Sequence, residues 1–168
     1  MVKIKRHILS KKDRKALAKE LESKYPRLVK FIRKGEKVEK ASVETGTVII
    51  VDKTPCIAIE RSGRIYPLLF ILLKPEYQDI LPKVVVDMGA VPHIANGADV
   101  MAPGITEVRG DFSKEDIVVV VDERHGKPIA VCSAMYSSDE IRNMRRGKVL
   151  KNLHYVGDDL WNLFKSFA

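Results

Sequence analysis

Between Ser10 and Gly35 the apolar positions follow a helical period. Leu17, Leu21, Tyr25, Leu28 and Ile32 recur at steps of three or four, with Ala16 beside them, so one apolar stripe runs along a helix surrounded by lysines. Ser10 followed by Asp13 has the outline of an N-cap. Pro26 breaks the stripe, because the residue ahead of a proline avoids the α region. The pattern predicts a helix over 11–24 and a second over 26–34, with Pro26 in its first turn and Gly35 as its stop. From Val38 the period shortens. Val43 and the runs 48–51, 56–59 and 65–68 are β-type, parted by turn residues at Thr45-Gly46, 52–55 and 61–63. They predict a small antiparallel meander packed against the helices. A mixed apolar stretch follows over 69–81, with a short helix starting at Pro75 and ending ahead of Pro82.

Pro82-Lys83 reads as the boundary between two domains, 1–82 and 83–168. Beyond it the pattern predicts a strand over 84–87, a short helix over 90–96, a strand near 99–101 and a loop through Pro103-Gly104. A buried strand over 117–122, a hairpin turn over 123–127 and a strand over 129–135 come next. Ser137 and Glu140 form a capping-box pattern that opens a short helix ended by Gly147, and 153–156 reads as the last strand. Leu160, Trp161, Leu163, Phe164 and Phe167 have helical spacing and are expected to dock the C-terminus as core. Short strands with few helices predict a small β-barrel, closed so that no long edge is exposed. The fold class is α+β.

Composition narrows the function classes. A chain of 168 residues has room for one domain or two small ones, and 45% hydrophobic with 31% charged residues fits a packed core. The longest apolar runs, 67–73 and 117–121, fall short of the roughly 20 residues a membrane helix needs. The first residues carry charge where a signal peptide carries an apolar segment, so a cytoplasmic chain with no membrane partner is expected. Cys56 and Cys132 lie far apart inside strand-like runs, which argues against a disulfide framework or a zinc knuckle. The net charge of +8 is unevenly distributed: residues 1–40 hold 15 Lys and Arg against 5 Asp and Glu, and the remainder 15 against 17. A second basic cluster (Arg142, Arg145, Arg146, Lys148 and Lys151) has no acid from Ile141 to Tyr155. Two dense positive regions point to a polyanion, whose bound counterions are released on contact. The plainer alternative is a solvated lysine-rich face.

The segment 87–105, Asp-Met-Gly-Ala-Val-Pro-His-Ile-Ala-Asn-Gly-Ala-Asp-Val-Met-Ala-Pro-Gly-Ile, carries the most chemistry. Gly97 follows a helix and can take positive φ, turning the chain straight back into the strand at Val100. Pro103-Gly104 makes a second tight turn with little side-chain bulk. Together they would bring main-chain N–H groups to one surface, where a phosphate or a splayed base could approach closely. The alternative is that the glycines only satisfy turn geometry.

In this arrangement the stretch from Lys83 to Asp158 resembles the PUA domain, the pseudobarrel named for pseudouridine synthases and archaeosine transglycosylases. The resemblance rests on Gly89-Ala90, Ile94, Asn96-Gly97-Ala98, Val100-Met101, Pro103-Gly104-Ile105, the hairpin of 117–135 and the run 151–156. With Met135, Ser137–Glu140, 147–155 and Asp158-Asp-Leu-Trp161, the whole chain is similar to the malignant T-cell-amplified sequence family, in a stand-alone archaeal-like version. The resemblance implies an N-terminal α/β pre-PUA domain followed by a PUA-type β pseudobarrel. It also implies an RNA partner, a tRNA acceptor end or rRNA, on the small ribosomal subunit, met by His93, Asn96, Gly97, Ala98, Met101, Ala102, Pro103, Gly104 and Ile105. Relatives work beside or fused to a SUI1-type domain, so a separate SUI1-domain protein is an implied partner, action alone being the alternative.

Arg145, Arg146, Lys148 and Lys151 lie between the expected short helix and the last strand, where they would meet a phosphate backbone if that edge faces the glycine loop. His154 could stack a base, while Tyr155 is expected in the core. The lysines of the first helix offer a second RNA-facing surface or a solvated face. Met88, Met101, Met135 and Met144 read as core or edge fillers. The histidines His7, His93, His125 and His154 are scattered, with no metal-ligand spacing, and nucleophile elbow, P-loop and dinucleotide fingerprints are absent from the sequence. A non-catalytic RNA-binding protein without cofactor or metal is therefore expected. The alternatives are an accessory subunit that presents RNA to a modifying enzyme, and a protein-interaction module.

Overall fold

The computed structural model describes residues 4–167, which form two compact units, one running to Ile71 and including Phe167, the other Leu72–Ser166. In the first unit a five-stranded antiparallel meander is built in sequence order from β1 (Arg6–Ile8), β2 (Val38–Val43), β3 (Gly46–Val51), β4 (Thr54–Glu60) and β5 (Ile65–Pro67). Two helices precede β2: α1 (Lys11–Leu21) and α2 (Pro26–Lys34). The Ser10 hydroxyl accepts the Asp13 N–H at 3.1 Å and opens α1, which buries Leu17, Ala18 and Leu21. Ala16, expected on the stripe, is exposed, and Ala18 packs inward in its place. The helix α2 begins at Pro26 and stops at Gly35, as the sequence predicts. The reason for the stop differs. Gly35 leaves the helix in an extended conformation, and a Cβ on it would lie 2.5 Å from a methyl of Val51. The guanidinium of Arg14 closes the end of α2 by donating to the carbonyls of Ile32, Arg33 and Gly35. A 3-10 turn at Pro75–Tyr77 stands where a short helix was expected, and a single turn not foreseen in the sequence, α3 (Leu69–Leu72), precedes it.

The second unit is built on a curled six-stranded sheet. Its strands are β6 (Lys83–Val86), β7 (Val100–Met101), β8 (Ile105–Arg109), β9 (Ile117–Asp122), β10 (Pro128–Ala134) and β11 (Lys148–Tyr155), in spatial order β7-β11-β10-β9-β6-β8. All neighbours pair antiparallel except β6 and β9, which run parallel. The four valines 118–121 are buried on both faces of β9, the continuous apolar run expected of a strand beside a parallel partner. The ladder does not close on itself. Its edge strands β7 and β8 are consecutive in the chain, joined by a 3-10 turn at Ala102–Gly104, so the sheet is a pseudobarrel and not a closed barrel.

Three short helices complete this unit: α4 (Val91–Ile94), α5 (Ser138–Asn143) and α6 (Asp159–Phe164). The capping box at α5 is formed on both sides, with Glu140 N–H donating to the Ser137 hydroxyl at 3.2 Å and Ser137 N–H to the Glu140 carboxylate at 3.2 Å. The helix ends at Asn143, four residues before the glycine expected to end it. Gly147, at φ +92°, instead turns the chain into β11, which starts five residues earlier than the pattern of 153–156 suggests. Val84, Val86, Ile94, Val100, Val120 and Leu150 are among the core residues that fix α4 against the sheet. That packing sets the position of the glycine loop.

Candidate nucleic-acid interface

The loop and its neighbours enclose a cleft of about 680 Å³ on the second unit. The β6–α4 connection supplies Asp87 and Ala90, and α4 with the following turn supplies His93, Ile94, Gly97 and Ala98. Asp99, Met101, Pro103 and Gly104 come from β7 and its flanks, and Lys148 from β11. The turn is tight because Gly97 sits at φ +93°, where its N–H reaches the Ile94 carbonyl at 3.0 Å and that of Ala98 reaches His93 at 3.0 Å. A Cβ on Gly97 would lie 3.0 Å from the ring of Tyr155, and one on Gly104 would lie 3.0 Å from the Ala90 methyl. Small residues are therefore required at both positions by close approach. Asn152 on β11 holds the turn from outside. Its side-chain NH2 donates to the carbonyls of Ile94 and Ala98, both at 3.1 Å, and its main-chain N–H donates to Asp99 Oδ1 at 2.8 Å.

Charge around the cleft is divided between committed and uncommitted groups. Lys148 lies 3.7 Å from Asp99 Oδ2, so part of its charge is balanced within the site. Arg142 faces away from this role, because its guanidinium donates to the carbonyls of Gly110 at 2.7 Å and Val108 at 3.3 Å and bridges Asp111 and Asp139. Arg145 and Arg146 are exposed, and among the described residues no ion pair is recorded for either. They directly precede Gly147, whose carbonyl accepts the Ala102 N–H at 2.9 Å next to the β7 edge of the cleft, though neither lines it. Lys151 is exposed further along β11 but does not line the cleft.

Of the residues singled out in the sequence, His93, Gly97, Ala98, Met101, Pro103, Gly104 and Lys148 come together in the cleft. Asn96 is exposed next to it. Ala102 is buried, Ile105 is half-buried against the core, and neither lines the cleft. Met101, expected as a filler, is 46% exposed in the cleft. His154 is corrected outright: it is fully buried, and its Nδ1 lies 2.8 Å from Asp158 Oδ2, so it cannot stack a base. Burial raises the pKa of Asp158, but the hydrogen bond and charge of His154, with the N–H groups of Trp161 and Tyr155, outweigh it and hold the carboxyl below the ordinary aspartate range. Burial pushes both cysteine thiols far up, which leaves them protonated. Asp87, Asp99 and Asn152 were missed. The first two were legible as acids flanking the glycine turn, whereas Asn152 carries no local signal on its strand.

Residues 82–156 match the PUA domain family, and residues 5–75 match a domain of unknown function (DUF1947), the pre-PUA module. An uncharacterized protein of Methanocaldococcus jannaschii is 46% identical over 94% of this chain and 96% of its own length. Malignant T-cell-amplified sequence 1-B of Xenopus laevis is 35% identical, and translation machinery-associated protein 20 of Saccharomyces cerevisiae 31% identical. These matches cover 62% and 52% of this chain, and it spans 58% and 51% of the two relatives' lengths. Among solved structures, a hypothetical protein of Pyrococcus horikoshii superposes with a TM-score of 0.81 at 34% identity, covering 95% of this chain and 99% of that one. Fold and cleft thus define a PUA-domain protein. With the DUF1947 module ahead of it, the chain shares its two-part layout with the Methanocaldococcus jannaschii protein and is similar to the malignant T-cell-amplified sequence relatives.

Proposed function

We propose that this chain is a non-catalytic RNA-binding protein of the cytoplasm that acts in translation, holding the end of a tRNA or an unpaired stretch of rRNA at the small ribosomal subunit. The observation that carries the reading is the cleft itself. A main-chain turn stripped of bulk at Gly97 and Gly104 opens near two exposed arginines with no ion pair among the described residues, so a nucleotide can enter while its phosphates lie on Arg145 and Arg146. The cleft, the PUA match and the translation-machinery name of a relative support the same partner.

The test is the binding of a single-stranded RNA across a range of salt concentrations. Reversing Arg145 and Arg146 to Glu is expected to weaken all sequences alike. It should also flatten the plot of log affinity against log salt by about 1.4, since each neutralised phosphate of a single strand contributes roughly 0.7. An unchanged slope would remove these arginines from the interface. Co-sedimentation of the chain with small subunits, lost on the same reversal, is the expected readout of the translation role.

A further inference from the structure

The cleft holds two carboxylates that an RNA site would not be expected to contain, and they specify which end of RNA it accepts. Asp87 Oδ1 accepts the Ala90 N–H at 2.8 Å. Its Oδ2 has no recorded partner among the described residues. Asp99 Oδ1 accepts the Asn152 N–H at 2.8 Å, while Oδ2 faces Lys148 at 3.7 Å. Both acids line the cleft together with a single lysine, so apart from His93 its side chains carry two negative charges against one positive. Arg145 and Arg146, with no ion pair among the described residues, are outside this lining. A phosphate is therefore favoured at Arg145 and Arg146 and disfavoured inside. A hydroxyl is the opposite case: it donates to a carboxylate at no cost in like charge.

Resting on the RNA-binding reading above, we propose that the cleft selects an unphosphorylated 3′ end of RNA, with Asp87 and Asp99 as acceptors for the vicinal hydroxyls of the terminal ribose. Only the 3′ terminus carries that pair, and a carboxylate is the group that reads a ribose diol in other nucleotide sites. A terminal phosphate carries between one and two negative charges and would sit against both aspartates. Arg145 and Arg146 then hold the penultimate phosphates, where charge is already uncommitted.

The experiment uses the full chain at pH 8 and two labelled eight-nucleotide single-stranded RNAs, identical except that one ends in a 3′ hydroxyl and the other in a 3′ phosphate. The hydroxyl form is expected to bind roughly tenfold more tightly. In Asp87→Asn and Asp99→Asn, which keep an oxygen for the Ala90 and Asn152 N–H groups, the preference is expected to narrow severalfold. Equal affinity of the unaltered chain for the two RNAs overturns the selection while leaving RNA binding intact. A preference unchanged in both variants overturns the assignment to these carboxylates. Failure of both RNAs to bind overturns the RNA reading itself.

Discussion

Two glycines of nearly the same backbone conformation do different work in the second unit. Gly97 lies at φ +93° against the Tyr155 ring, and Gly147 at φ +92° with no atom within 4 Å of where a Cβ would stand. An alanine at Gly147 meets only the conformational penalty of about 1–2 kcal/mol for a left-handed residue. At Gly97 the same penalty is joined by overpacking on the tyrosine, about 1 kcal/mol or more. Urea unfolding of Gly97→Ala and Gly147→Ala is expected to show the larger loss at Gly97. Equal losses would mean that Tyr155 moves aside freely. The positive φ at Gly97 was legible, because a glycine between a short helix and a strand has few other purposes. The aromatic neighbour was not, since it lies on the last strand and nothing local links it to the turn. The same limit explains His154: beside a tyrosine it reads as a stacking residue, and only its 2.8 Å approach to Asp158 and its burial show that it is structural.

Elements with a strong internal pattern were legible and those defined by pairing were not. The bounds of α2 and β9 match the pattern because a proline, a glycine and an unbroken valine run mark them. The strand β1 is three exposed residues, and β8 (Ile-Thr-Glu-Val-Arg) has two half-buried and three exposed positions, so neither shows a periodic core face. Their hydrogen bonds to β2 and β6 make them strands. The early start of β11 was hidden by Lys148 and Lys151 and by the register shift between Lys148 and Leu150. This regrouping separates the basic cluster into parts with different roles. Arg142 ties α5 to the carbonyls at the end of β8, whereas Arg145 and Arg146 have no ion pair among the described residues. Arg142→Ala is expected to lower stability by about 1–2 kcal/mol through its charged hydrogen bonds to main chain, with little from its exposed ion pairs, and to leave RNA affinity within twofold. Thermal unfolding and RNA titration of the one variant check both halves. Lost affinity with unchanged stability would reverse the roles assigned here.

Across the whole molecule the charge is divided so that the two units offer different things to a polyanion. Residues 1–40 hold 15 Lys and Arg against 5 Asp and Glu, and Lys11, Lys12, Lys15 and Lys19 are exposed along α1. The second unit contributes a shaped cleft with two arginines beside it. A short RNA seated in the cleft can neutralise little beyond those two, which predicts a salt slope of about −1.4 for a single strand. An RNA of some 40 nucleotides that engages the lysine face of α1 as well is expected to show a slope steeper by roughly 0.7 for each further phosphate engaged. Reversing Lys11, Lys12, Lys15 and Lys19 to Glu should then bring the long RNA's slope down towards that of the eight-nucleotide probe and leave the short probe unaffected. The comparison separates a contact surface from a solvated face. Lysines that only solvate the helix shift both probes by the same small electrostatic amount, while lysines that hold phosphates change the long one alone.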